Sequence, residues 1–129
     1  MDQKDKKILI IEDDTNIREA LMRRFTAEHF TAVGASDGPS GLAMALREKP
    51  DIIVLDIIMP GFDGMTLMKK LREKNEWGKH VPIILLTSLS ADEEIMKGIV
   101  RDEPAYYIVK DHFSLEDVVL KVKERLERV

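Results

Sequence analysis

The sequence contains no cysteine. Disulfides, thiol nucleophiles and cysteine-ligated metal centres are therefore excluded, a composition that suits a reducing compartment. No apolar stretch approaches the ~20 residues needed to cross a bilayer, and the first residues, MDQKDKK, are too polar for a secretory signal. Charge of one sign is not concentrated either. The 20 basic and 24 acidic residues leave a net charge of -4 with no block of like charge, so direct contact with nucleic acid is not expected. Neither a GxxxxGKS/T nor a GxGxxG stretch is present to cradle a nucleotide. The three histidines, His29, His80 and His112, are scattered without the spacing of a ligand pair. These absences describe a cytoplasmic soluble protein without a membrane partner.

What is present fits one domain spanning residues 1–129, a length that buries roughly two thirds of the surface its unfolded chain exposes. Apolar runs at Ile8 to Ile11, Ile52 to Leu55 and Val81 to Leu86, with weaker ones at Phe30 to Val33 and Tyr106 to Val109, predict five strands. The first three are apolar on both faces, as in parallel strands covered by helices above and below. Helical spacing lies between them: Ile17, Leu21 and Phe25; Leu42, Ala43 and Leu46; Leu67, Met68 and Leu71; and finally Leu115, Val118, Val119, Val122 and Leu126. Cap signals agree. Ser114 with Asp117 and Ser90 with Glu93 have capping-box spacing, Pro39 suits a first helical turn, and Asp14 or Thr15 and Asp63 are placed as N-caps. The segment KNEWGKH, holding Trp77, reads as an exposed connection. Alternating strands and helices imply an α/β fold with a parallel sheet and right-handed crossovers. No linker, repeat or second domain is expected.

Against that pattern one residue stands out. Asp56 interrupts the apolar run DIIVLDIIMPG, where a carboxylate is either a burial cost or a group placed for chemistry. Ligands of open α/β sheets bind outside the carboxyl ends of the strands. Those ends carry Glu12, Asp13 and Asp14, then Asp56, then Thr87 and Ser88, then Lys110. Carboxylates gathered so closely repel one another unless protonated or bridged by a cation. Hard oxygen donors without cysteine or a histidine pair favour Mg²⁺ over Ca²⁺ or Mn²⁺. An aspartate beside such a site can attack phosphorus to form an aspartyl phosphate, with Lys110 and the Thr87 hydroxyl stabilising the phosphoryl oxygens.

The combination ILIIEDD, LDIIMPGFDG, IILLTS and YYIVK resembles the receiver domain of two-component response regulators over residues 6 to 128, in a stand-alone, chemotaxis-regulator-like form. The resemblance implies a flavodoxin-like three-layer sandwich with a doubly wound five-stranded sheet in the order 2-1-3-4-5. It implies that Asp56 accepts a phosphoryl group from a partner histidine kinase or phosphotransfer protein. Glu12, Asp13 and Asp56 would hold Mg²⁺ with the backbone carbonyl of Ile58. Thr87 matches the switch hydroxyl, Lys110 the lysine of the pattern, and Tyr107 the aromatic that changes rotamer on activation. Such a chain would not be an enzyme beyond its own phosphorylation and slow dephosphorylation. It would signal to a downstream protein as a monomer or an activation-dependent dimer.

The chain departs from the family pattern in two places. Asp111 follows Lys110 where receivers usually carry proline, so a trans bond or a differently shaped loop is expected, because a non-proline cis bond costs about 3 kcal/mol. Pro104 replaces the usual glycine-alanine pair before the fifth strand. Other classes fit less well. A haloacid-dehalogenase-like phosphatase and a toprim-type nuclease both need a second acid where this chain has Ile58, and a flavodoxin-like carrier needs a glycine-rich phosphate loop where EDD stands. The alternative from another class is a receiver-like docking module that is never phosphorylated.

The resemblance implies that Ile58 and Leu89, two residues beyond Asp56 and Thr87, flank the route of the attacking water; both are apolar and cannot orient it. Decay of the aspartyl phosphate is therefore expected to be slow, and Ile58→Asn to accelerate it. Following the acyl phosphate in both proteins tests this, and equal or slower decay in the variant overturns it.

Overall fold

The computed structural model describes residues 6–56, 64–87, 106–109 and 114–127, with the backbone alone for Thr87 and residues 106–109. Its strands are β1 (Lys7–Ile11), β2 (Thr31–Ala35), β3 (Ile52–Asp56), β4 (Ile83–Thr87) and β5 (Tyr106–Val109). All pairings are parallel, in the order β2-β1-β3-β4-β5. The helices are α1 (Thr15–Ala27), α2 (Gly38–Glu48), α3 (Gly64–Lys74), α4 (Glu76–His80) and α5 (Leu115–Glu127). The helix expected after the fourth strand, with its Ser90 cap, lies outside the described residues, as do Asp63 and His112.

Residue parity along the central strands sorts the core into two layers, because successive side chains in a strand point to opposite faces. Leu9, Ile11, Ile53, Leu55, Ile83 and Leu85 pack with Ala45 of α2 and Leu67, Met68 and Leu71 of α3. Ile8, Ile10, Ile52, Val54, Ile84 and Leu86 pack on the other face with Leu21 and Phe25 of α1 and Val118, Val119 and Val122 of α5. Both clusters are almost wholly buried, which explains the non-alternating apolar runs of β1, β3 and β4. The edge strand β2 is only partly covered.

Helix ends follow the side-chain chemistry of their caps. The Asp14 carboxylate accepts from the Ile17 amide at 3.1 Å, Asp37 from the Ser40 amide at 2.7 Å, and Asn75 from the Gly78 amide at 2.7 Å. The Ser40 amide and hydroxyl hold the Asp37 carboxyl below its ordinary range. At α5 the capping box closes both ways: the Ser114 amide donates to Asp117 at 2.9 Å and the Asp117 amide to the Ser114 hydroxyl at 3.3 Å. Lys123 with Glu28 and Arg24 with Glu116 join α5 to α1 at the surface.

Three local expectations change. Helix α2 buries Gly38, Gly41 and Ala45, whereas Leu42 and Leu46 are only partly covered and Ala43 is exposed. The reason is close approach: a Cβ on Gly41 would lie 2.8 Å from Ile11 Cδ1, so the helix backbone rests directly on β1. The fourth strand begins at Ile83 and not at Val81, since the Val81 amide is taken by the Trp77 carbonyl at 2.9 Å. Finally, KNEWGKH is not an open connection. Its Glu76–His80 turn is helical, and Trp77 is half-buried against the α2/α3 core.

Arg72 of α3 fastens this turn by donating to the carbonyls of Gly78 at 2.9 Å and Val81 at 2.7 Å. Gly78 packs so tightly that a Cβ would fall on the Leu71 carbonyl oxygen, a backbone atom that cannot swing aside. Gly78→Ala is therefore expected to lower the unfolding free energy by about 2 kcal/mol or more. Urea denaturation measures this, and an unchanged midpoint would contradict the packing.

Candidate metal centre at the carboxyl edge of the sheet

Strands β1 and β3 lie side by side with Ile11 opposite Leu55, so the next residues along each strand, Glu12 and Asp56, meet as neighbours. Their parity puts both on the face shared by α1 and α5. Oxygen atoms from Glu12, Asp13 and Asp56 all lie within 4.8 Å of one another. Glu12 and Asp56 are buried, at 1% and 4% exposure, while Asp13 is open to solvent. The cluster thus has two fixed carboxylates at its base and one at its mouth.

The loop before α1 is held from several sides. The Glu12 amide donates to the Ala35 carbonyl of β2 at 3.0 Å, and the Asp14 amide donates to Glu12 Oε2 at 3.2 Å. Arg18, one turn into α1, donates from its guanidinium to the Glu12 carbonyl at 2.8 Å. Asp14 points the other way, capping α1, and so belongs to the helix and not to the cluster.

Electrostatics define what this arrangement can hold. Each pair of ionised carboxylates at such a separation repels by on the order of 3 kcal/mol at an effective dielectric of about 20. A divalent cation among them would add attractions that outweigh that repulsion. The donors are all carboxylate oxygens, with neither sulfur nor imidazole among them, a set that fits a hard cation which keeps part of its water shell. One open side, at Asp13, leaves room for further oxygen ligands.

The remaining expected site residues divide in two. Thr87 ends β4, one residue beyond Leu86, the register partner of Asp56, and pairs with Val109 of β5. Tyr107 lies in β5 opposite Leu85. The Thr87 backbone is thus on the strand next to Asp56, and that of Tyr107 on the edge strand one further out. Ile58, Leu89, Lys110 and the Lys110–Asp111 bond lie outside the described residues. Arg18 and the Glu12 carbonyl were not foreseen. The available signal is slight, an arginine one turn past an acidic loop at the start of a helix.

The described residues thus form a parallel α/β domain with an acidic cluster at the carboxyl edge of its sheet. A family model described as the response regulator receiver domain matches residues 8–123. The chain belongs to this family, the receivers of two-component systems. Among its relatives, the response regulator PleD of Caulobacter vibrioides is 40% identical over 94 residues, 72% of this chain and 20% of PleD. The transcriptional regulatory protein ResD of Bacillus subtilis is 36% identical over 129 residues, 99% of this chain and 51% of ResD. The chain therefore spans between a fifth and about half the length of these relatives. The solved structure of TrrA from Thermotoga maritima in complex with Mg(2+)-BeF is 31% identical, has a TM-score of 0.78, and matches over 92% of this chain and 97% of that one. Among the described residues no helix is long and apolar enough to cross a membrane.

Asp13→Asn removes one of the three charges without disturbing the buried pair. It is expected to weaken divalent-cation binding by at least about tenfold, read by calorimetric titration. Unchanged affinity would mean that Asp13 is not a ligand.

Proposed function

We propose that the protein is a phosphorylated switch in which Asp56 accepts a phosphoryl group from a phosphohistidine of a partner kinase or phosphotransfer protein. The observation that carries this reading is the buried Asp56 carboxylate gathered with Glu12 and Asp13 at the carboxyl edge of the sheet. A carboxylate oxygen of Asp56 attacks phosphorus, the P–N bond to the partner imidazole breaks, and the imidazole leaves with its electron pair. The product is an aspartyl phosphate. Burial at the base of the cluster fixes the direction of attack, because β3 is held between β1 and β4 and cannot shift.

The cation proposed for the cluster is Mg²⁺, held by Glu12, Asp13 and Asp56 with the Ile58 carbonyl; bound there it would neutralise charge on the transferred phosphoryl group. Lys110 and the Thr87 hydroxyl are assigned to the remaining phosphoryl oxygens, and Tyr107 to the response that changes the surface offered to a downstream protein. The family relationship and the strand-end position of Thr87 support these roles. By itself the domain catalyses only its own phosphorylation and dephosphorylation.

Incubation with acetyl phosphate or phosphoramidate, with and without Mg²⁺, followed by intact mass measurement, tests the proposal. One added phosphate is expected with Mg²⁺, and none without it or in Asp56→Ala. Absence of any gain in the wild type would overturn the switch and favour a docking module that is not phosphorylated.

A further inference from the structure

We infer that Arg18 is a positioning residue for the metal centre, and that Gly34 is the slot through which it reaches its target. The inference rests on the metal reading of the Glu12, Asp13 and Asp56 cluster. Arg18 leaves α1, and its guanidinium donates to the Glu12 carbonyl at 2.8 Å, with a second, longer contact to the Thr15 hydroxyl at 3.5 Å. The acceptor is the peptide oxygen joining Glu12 to Asp13, two of the three clustered acids. Fixing that peptide plane sets the directions in which both side chains leave the backbone.

The path of the arginine depends on β2. A Cβ on Gly34 would stand 3.2 Å from Arg18 Cδ, 3.4 Å from Arg18 Cγ and 2.7 Å from Met22 Sδ. The space left by the missing side chain at Gly34 is thus shared by the Met22 thioether, which lies nearest, and the arginine's aliphatic stem, which passes between α1 and the sheet. On its far side the same loop is held by the Glu12 amide donating to Ala35, the residue after Gly34. Strand β2 therefore holds the Glu12 amide while Arg18, laid across that strand, holds the Glu12 carbonyl. The loop is clipped on both sides before any ion arrives, so an arriving ion need not spend binding free energy on ordering it. Arg18 also brings a fixed positive charge to the rim of an acidic cluster.

Outer partners of metal ligands typically change affinity by about 10- to 100-fold when removed. Arg18→Met keeps the stem and deletes the donor. It is expected to bind Mg²⁺ about 10-fold more weakly by calorimetry, and to speed exchange of the Asp14 amide in metal-free protein, followed by NMR. At saturating Mg²⁺ its phosphorylation rate should return to within about twofold of wild type, because the defect lies in assembling the site. Arg18→Lys, which can still donate to the carbonyl, should recover part of the affinity. Gly34→Val, which closes the slot and leaves Arg18 in the chain, should reproduce the loss. Unfolding midpoints in metal-free buffer, with titrations run well below them, separate a lost site from a lost fold. If wild type takes up Mg²⁺ and Arg18→Met binds it equally well, the positioning role is overturned alone. If wild type itself takes up none, the metal reading fails and the inference with it.

Discussion

The parallel pairing of β1 with β3 is the constraint on which the rest of the molecule depends. With Ile11 opposite Leu55, the strands deliver Glu12 and Asp56 to the same edge and the same face. A slip of one residue in either strand would send its acid to the opposite face and its core residues to the wrong layer. Two buried apolar clusters oppose such a slip, because each strand places one set of side chains in each. The site geometry is therefore stabilised by packing free energy from both layers of the domain. That support is needed, since carboxylates brought together do not attract.

The fold was readable wherever residue types alone decide the outcome. Strands buried on both faces leave uninterrupted runs of Ile, Val and Leu, and the amphipathic period of α1, α3 and α5 names their buried residues directly. Helix α2 forms where its spacing indicates, but its closest contacts are made by residues that spacing does not mark. Leu42, Ala43 and Leu46 have helical spacing, but the face against β1 belongs to Gly38, Gly41 and Ala45, chosen for closeness and not for apolar area. Small residues give no hydropathy signal, so only coordinates reveal them. The KNEWGKH turn was misjudged for a related reason. Its order comes from the Arg72 contacts to the carbonyls of Gly78 and Val81 and from Trp77 lying on a core that the local sequence does not mention.

The acidic residues of the site were legible because carboxylates in apolar surroundings are conspicuous and because strand ends are predictable from strand runs. Glu12, Asp13 and Asp56 do meet. What the sequence could not display was backbone chemistry. The Glu12 carbonyl and amide, which fix the loop, look the same in any sequence, and Arg18 resembles every other charged residue on an amphipathic helix. Asp14 illustrates the converse: it stands in the acidic run, yet hydrogen bonding to Ile17 commits it to α1. Adjacent, chemically similar acids are thus divided between a helix terminus and the acidic cluster by the direction the backbone gives them.

The division of the core has a consequence for how the chain assembles. Among the described residues, the layer under α2 and α3 draws on residues between Leu9 and Leu85, whereas the layer under α1 and α5 draws on residues from Ile8 to Val122. As the chain is synthesised, the described residues of the first layer are all present once β4 has emerged; the second stays open until α5 arrives. Glu12 and Asp56 face that second layer. The last helix, which contributes no residue to the acidic cluster, is what finally shields the face on which the cluster is built.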